Sequence, residues 1–341
     1  RKMKLVRTEE AVGHVLCHDM TQIIPGVTKD ARFRKGHVVT EADIPVLLSM
    51  GKEHLYVWEK QPGMLHEDEA AEILFALCHG ENTCRKAPPK EGKVELIAAC
   101  DGLFRIEREG LRAVNALGDM MIAARAGDFA VKKGDSLGAT RVIPLVIEAE
   151  KMDAACAAAG DRPLFSVLPF QKRTVGIITT GNEVFSGRVR DAFGPAIRQK
   201  LAEYDAEVLG QTILGDDPDA IAAQIAAYID QGADMVLCTG GMSVDPDDTT
   251  PTAIQRSGAQ IVSYGAPVLP GAMFLLAYRD GVPVVGLPGC VMYAKRTVFD
   301  LVLPRIMAGE RLSREDLVRY GEGGLCLNCP VCTFPNCGFG K

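Results

Sequence analysis

Residues 239–249 run Thr239-Gly240-Gly241-Met242-Ser243 and then place Asp245, Asp247 and Asp248 ahead of Thr249. Two adjacent glycines let backbone N–H groups come close to an anion. Clustered carboxylates can hold a divalent cation, or position a phosphate through one. The apolar run Met235-Val236-Leu237-Cys238 precedes the segment, and a helical pattern ending near Gly258 follows it. Strand, glycine turn, acidic loop and helix is the order in which open α/β sheets build ligand sites, at the carboxyl ends of their strands.

Two further strand ends carry similar loops. Thr174 to Ile178 runs into Thr179-Thr180-Gly181-Asn182-Glu183, and a later strand ends in Leu287-Pro288-Gly289. If these strands are parallel neighbours, all three loops open on one sheet edge. Each is expected to precede a helix whose N-terminal amides favour an anion. Three such loops in one domain favour a phosphate-bearing ligand over purely structural turns. The candidate ligand contacts are Thr180, Gly181, Glu183, Asp191, Thr239, Gly240, Gly241, Ser243, Thr249, Pro288 and Gly289. The backbone amides of Gly181, Gly240, Gly241 and Gly289 are the expected phosphate donors.

The acids divide by position. Asp248 is expected at the N-cap of a helix over 249–257, and capping alone would explain a carboxylate there. Its place beside the glycine loop gives it a second role, with Mg²⁺ or in phosphate transfer. Asp217 before Pro218 is the better cap for the next helix, which leaves Asp216 for chemistry.

A separate constellation closes the chain. Cys326, Cys329, Cys332 and Cys337 form C-x2-C-x2-C-x4-C, with Gly and Pro between them. Such a run can wrap one metal centre, either tetrahedral zinc or an iron–sulfur cluster. The other seven of the eleven cysteines are scattered, several in apolar surroundings, as expected of free thiols in a reducing cytoplasm.

The elements that must position these groups follow from the pattern. At 341 residues the chain exceeds one ordinary core, so two or three domains are expected. Residues 1–165 read as an α+β domain, with two lobes a possibility within it. One helix there runs through Ile44, Leu47 and Leu48, and an acidic-first helix begins at His66-Glu67-Asp68-Glu69. Glu91 to Gly118 reads as strand and turn, with a turn at Glu109-Gly110. A linker from Arg162-Pro163 to about Lys172 separates this from residues 173–310, where strands alternate with helices. That alternation predicts an α/β fold with a mostly parallel sheet and an antiparallel edge made by the Asp280-Gly281 hairpin. Residues 320–341 form the cysteine tail. A formal net charge of −6 gives no electrostatic reason to bind nucleic acid. No apolar run is long enough to span a bilayer and no leader pattern opens the chain, so no membrane association and a cytoplasmic location are expected.

Residues 173–308 resemble the molybdopterin-binding domain of molybdenum-cofactor biosynthesis proteins, the Mog, MoeA and gephyrin group. The resemblance rests on Thr180-Gly181-Asn182-Glu183, Asp191 with Gly194 and Leu201, Asp216 before Pro218, Thr239-Gly240-Gly241, Asp248-Thr249-Thr250-Pro251 and Leu287-Pro288-Gly289. It implies a three-layer α/β fold, a tricyclic pterin phosphate as ligand, and Mg²⁺-dependent adenylyl transfer or molybdate insertion involving ATP or AMP. Asp248 and Asp216 fall on acids that the family uses at its active site. The chain departs from the pattern at Phe193, at Leu269-Pro270-Gly271-Ala272 where the insertion branch has a lysine, and at Cys290-Val291. No counterpart of that branch's C-terminal β-domain follows. Lys295 and Arg296 could restore the missing positive charge. These departures leave room for a non-catalytic carrier or sensor that delivers the cofactor to a molybdoenzyme or another pathway protein. Asp245 to Thr249 also resembles the CinA-like relatives, associated with nucleotide pyrophosphate or pyridine-nucleotide chemistry. A homo-oligomer is left open.

Overall fold

The computed structural model describes residues 3–24, 28–58, 61–243 and 248–341, so Asp245 and Asp247 lie outside the described residues. The chain divides into two compact units. One comprises residues 1–100, 104–125 and 132–167, and the other residues 101–103, 126–131 and 168–341.

In the first unit, strand Met3–Arg7 pairs antiparallel with His54–Trp58. Helix Asp43–Ser49 closes a small core with them around Leu16, Leu47, Leu55 and Val57. Helix Glu67–Cys78 starts from His66, whose Nδ1 accepts the Asp68 amide at 3.2 Å while Glu69 accepts the His66 amide at 2.8 Å. The His66 ring is therefore a cap, its Nε2 reaching the Gly36 carbonyl at 2.7 Å. A four-stranded antiparallel sheet holds Met120–Ala124, Ser136–Val142, Lys93–Ala98 and Thr83–Arg85 in that order. The stretch expected as strand and turn up to Gly118 contains a helix, Arg108–Ala116. Gly110 lies inside it because a Cβ there would meet the Ala159 carbonyl oxygen at 2.6 Å. The glycine serves a close helix–helix approach, where the sequence alone suggests a turn.

The second unit is built on a six-stranded mixed sheet in the order Glu207–Leu214, Thr174–Thr180, Met235–Thr239, Val282–Leu287, Leu275–Arg279, Gln260–Tyr264. The first four strands run parallel, and Leu275–Arg279 runs antiparallel to both of its neighbours. Asp280 (φ 51°) and Gly281 (φ 82°) make the tight turn of the antiparallel hairpin. Alternate residues of the central strands feed two apolar cores. Val175, Ile177, Met235 and Leu237 pack with Ile197 and Leu201 of helix Phe193–Ala202 and with helix Val298–Met307. Ile178, Val236 and Cys238 pack with Ile221 and Ile225 of helix Pro218–Asp230 and with Ile254. Strands buried on both sides read as continuous apolar runs, as Met235–Cys238 does.

The tail is part of this unit. Phe339 is 4% exposed and belongs to the same core as Phe129 and Leu301. Packing of Phe334 and Phe339 ties the tail to this core. No helix among the described residues is long and apolar enough to cross a membrane.

Candidate functional site

The parallel register fixes the three loops as neighbours. Thr179 lies opposite Thr239, and Thr239 opposite Leu287, so the loops after Thr180, Thr239 and Leu287 leave the sheet side by side. Threonine hydroxyls lock their roots. Thr180 Oγ1 donates to the Thr239 carbonyl at 3.1 Å and lies 3.1 Å from Thr250 Oγ1. Thr250 Oγ1 donates in turn to the Gly240 carbonyl at 2.8 Å. All three threonines are buried. Gly240 and Gly241 take positive φ of 84° and 54°. A Cβ on Gly240 would stand 2.2 Å from the Thr180 carbonyl oxygen. The pair is thus demanded by the close passage of two loops as well as by any ligand.

The amides are not equally available. Gly181 N–H donates to the Leu214 carbonyl at 3.2 Å, so that expected phosphate donor is spent on the backbone. Gly289 is exposed, and a Cβ added there would meet nothing within 4 Å. Pro288 beside it is buried and shapes the turn. The helices after the loops are shorter than expected: Asn182–Phe185, Thr250–Arg256, and a 3₁₀ turn over Gly289–Met292. Helix dipoles therefore contribute little from these three loops. The long helix after the third loop begins only at Val298, capped by Thr297 and Asp300.

The acids take distinct places. Asp217 caps helix Pro218–Asp230, accepting the Asp219 and Ala220 amides at 3.0 and 3.3 Å. Asp216 Oδ2 accepts the Asn182 amide at 3.0 Å, which ties the end of one strand to the first loop. Asp248 does not cap the helix after it. Thr249 holds that position, and the Asp248 carboxylate accepts a hydrogen bond from the Ser243 hydroxyl across the second loop. Thr249 Oγ1 is buried without a hydrogen-bond partner among the described residues. Glu183 is exposed on the short first-loop helix. Asp191 points inward at the base of the first loop. Its carboxylate accepts the Phe193 and Gly194 amides at 2.9 and 3.1 Å and the Gln211 amide group at 2.7 Å. Gln211 also donates to Thr179 Oγ1 at 3.1 Å. Asp191 is therefore a brace for the loop.

Two participants escape a reading of the sequence. Gln211 sits in a strand with no local motif, and only the fold brings it to Asp191. Tyr264 donates its hydroxyl to the Met242 carbonyl at 3.4 Å, and burial followed by the Asp248 charge pushes its phenol up from the usual value. That places Tyr264 beside the second loop. Lys295 and Arg296 do not supply charge to the loops. Lys295 Nζ donates to the Pro330 carbonyl at 3.1 Å, while Arg296 pairs with Asp300 at 2.8 Å and Glu203 at 3.4 Å.

Around the four tail cysteines the picture is different. All are free thiols and all line one cavity of about 510 Å³. Among the described residues, no three His, Cys, Asp or Glu side chains form a group poised to hold a metal ion, at the loops or in the tail.

A mixed α/β unit with three adjacent loops at the carboxyl edge of its parallel strands has the architecture in which open α/β sheets place ligand sites. Residues 176–308 match the family described as a probable molybdopterin binding domain. Residues 5–59 match a family described only as a domain of unknown function. The molybdopterin molybdenumtransferase of Synechococcus elongatus is 28% identical over 225 residues, covering 59% of this chain and 54% of that protein. The chain thus spans about half of that relative. A CinA-like protein of Mycobacterium avium is 43% identical over 81 residues, 24% of this chain and 19% of its own. Among solved structures, the molybdopterin biosynthesis enzyme MoaB from Thermus thermophilus is 24% identical, covering 40% of this chain and 98% of its own, with a TM-score of 0.34.

Proposed function

We propose that the 176–308 domain binds molybdopterin or the molybdenum cofactor at the edge formed by its three loops, and takes part in the biosynthesis of that cofactor. The observation that carries the reading is the lateral registry of Thr179, Thr239 and Leu287, which gathers the second and third glycine loops with Asp216 and Asp248 on one edge. The amides of Gly240, Gly241 and Gly289 are the candidate phosphate donors, and Thr249 Oγ1 and Ser243 supply hydroxyls. The Thr180 hydroxyl ties the loops together at their roots.

Two carboxylates on separate loops suit Mg²⁺, which takes one or two protein carboxylates and fills its remaining positions with phosphate oxygens and water. Asp216 and Asp248 would hold it. Each accepts a hydrogen bond, Asp216 from the Asn182 amide and Asp248 from Ser243, and so each is oriented. The bound ion would neutralise charge on a phosphoryl or adenylyl group. The protein's own contribution is positional: Asn182 and Ser243 fix the carboxylates, and the threonine network fixes the loops that carry them. ATP or AMP and a pterin phosphate are the corresponding ligands, and a molybdoenzyme or another protein of the pathway is the corresponding recipient.

A specific observation favours a second reading, a carrier that binds the cofactor without chemistry. The cations nearest in sequence to the third loop, Lys295 and Arg296, are engaged elsewhere, so neither is available to a phosphate at that loop. A nucleotide-directed, CinA-like activity is the third reading.

The deciding experiment is purification of the full chain from a host that makes molybdopterin, followed by mass spectrometry of the released ligand. A pterin phosphate is the expected result. Recovery of none, where a known binder treated identically retains it, overturns the reading. Asp248→Ala then separates enzyme from carrier: turnover collapses in the first case, and only some affinity is lost in the second.

A further inference from the structure

We propose that Cys326, Cys329, Cys332 and Cys337 together ligate one [4Fe–4S] cluster, in a site on the second unit. The four residues line a single cavity of about 510 Å³ whose other walls include Pro270, Tyr293, Lys295, Arg296, Phe334 and Phe339. Four thiolates can hold a single zinc ion, which draws its sulfurs to roughly 2.3 Å from one point, or a cubane cluster, which spreads them around a central volume with each sulfur on its own iron. Four cysteines lining one cavity of about 510 Å³ suit the larger group.

The frame that spreads them is rigid by its contacts. The chain enters the site through the Leu269 N–H···O Gly324 and Cys326 N–H···O Leu269 hydrogen bonds, both 2.8 Å. Its middle is held by Lys295 Nζ on the Pro330 carbonyl at 3.1 Å. Phe334 packs edge-on against Phe129 and under the Arg296 guanidinium, 4.9 Å from its ring centre, and Phe339 is 4% exposed. Cys326 and Cys337 are thereby partly buried, while Cys329 and Cys332 are exposed, so one face of the cluster meets solvent. The charge agrees. Lys295 and Arg296 are the charged residues of the wall, the second of them paired with Asp300 and Glu203 behind it, and among the described residues no carboxylate lines the cavity. Four thiolates on a [4Fe–4S] core leave a net negative group that this wall accepts. The spacing C-x2-C-x2-C-x4-C differs from the ferredoxin run, in which the fourth cysteine ligates a second cluster. Here all four converge on one cavity, so a single cluster is the consequence.

The site can be loaded by ligand exchange. A synthetic [4Fe–4S] cluster carrying four small thiolates transfers intact: each cysteine sulfur forms one Fe–S bond, and one exogenous thiolate leaves carrying the cysteine's proton. No electron changes hands. The test uses the full chain under anaerobic conditions, first as isolated and then after exchange with that cluster. Expected are about four irons and four sulfides per chain, and a broad charge-transfer band near roughly 400 nm that dithionite bleaches. Cys329→Ser and Cys332→Ser, at exposed positions, should each lower retained iron several-fold. Cys156→Ser, exposed but outside the tail, should leave it unchanged. Stoichiometric zinc without sulfide in the isolated chain, failure of the wild-type chain to take up the cluster, or full retention by both tail variants would overturn the proposal. Pterin recovery from the same preparations is a separate readout, so this outcome and that of the loop site are distinguishable.

Discussion

Asn182 and Asp216 exchange hydrogen bonds. The Asn182 amide donates to Asp216 Oδ2 at 3.0 Å, and the Asp216 amide donates to Asn182 Oδ1 at 3.2 Å. The pair joins the first glycine loop to the end of the neighbouring strand, so one carboxylate is both a structural clasp and a candidate ligand for Mg²⁺. Asp216→Asn separates the two roles, because it keeps an acceptor for the Asn182 amide and removes the charge. It should leave stability within about 0.5 kcal/mol of the parent while weakening Mg²⁺-dependent ligand binding. Asp216→Ala should cost in addition about 1 kcal/mol for the lost hydrogen bond. Urea denaturation and titration with ligand at fixed Mg²⁺ measure the two quantities. Equal binding by both variants and the parent would remove Asp216 from the site.

Gly240 offers a test of the loop root. Gly240→Ala places a methyl 2.2 Å from the Thr180 carbonyl oxygen at a φ of 84°. Gly258 has nearly the same φ, 87°, but its Cβ would meet nothing within 4 Å. The two alanine variants therefore share the conformational penalty of about 1–2 kcal/mol, and only the first carries the contact. Gly258→Ala should lose about that much stability, and Gly240→Ala at least about 1 kcal/mol more. Denaturation midpoints for the pair give the difference directly.

What the sequence discloses about this molecule is what its chemistry makes local. Asp217-Pro218 caps its helix because the cap and its amides are two and three residues apart, and Asp280-Gly281 turns its hairpin because both residues accept positive φ. The three loops are legible for the same reason, since each is a strand end followed by glycine. Their registry is not local, but it follows once four strands run parallel. The misses are long-range contacts. Gln211 has no motif, and its partner Asp191 stands twenty residues earlier. Gly110 looks like a turn because nothing nearby shows that Ala159 presses on it. Lys295 looks available to a phosphate because its partner, the Pro330 carbonyl, lies far along the chain, and Arg296 because nothing local shows that Asp300, four residues on, is buried and shared with Lys200. Asp248 is the subtle case. An acid ahead of a helix suggests a cap, and a shift of one residue gives that place to Thr249 and turns Asp248 onto Ser243.

In the first unit, Glu67 should make stability depend on pH. Burial first, then the charges of Asp68 and Glu91, push its carboxyl up to about 7, against the opposing pull of Arg141 and Lys35. The ordinary value, 4.5, applies to the unfolded chain. Between those two values the folded protein holds a proton that the unfolded chain has released, so stability falls as pH rises across the window. It is level with respect to this group below the lower value and above the upper one. Glu67→Gln keeps the shape and abolishes the titration. Urea midpoints at pH 5 and pH 7.5 should fall with pH in the parent, and the fall should shrink in the variant. An identical fall in both would show that another group carries it.

The buried cluster around Asp300 should behave as a unit. Asp300 is 5% exposed and receives Lys200 Nζ at 2.7 and 2.8 Å, Arg296 at 2.8 Å and the Thr297 amide at 2.8 Å. Lys200 is itself 8% exposed, so removing the carboxylate leaves a buried ammonium with a lone carbonyl contact to Lys295. Asp300→Asn keeps an acceptor for the Thr297 amide and should still cost about 3–5 kcal/mol, the range for breaking one side of a buried ion pair. Lys200→Met leaves Asp300 with Arg296 and the Thr297 amide, and should cost less. The double variant should be well short of the sum, because neither change then strands the Lys200–Asp300 partner that the other removes. Guanidinium denaturation of the four proteins completes the cycle, and strict additivity would show that Lys200 and Asp300 are not energetically coupled.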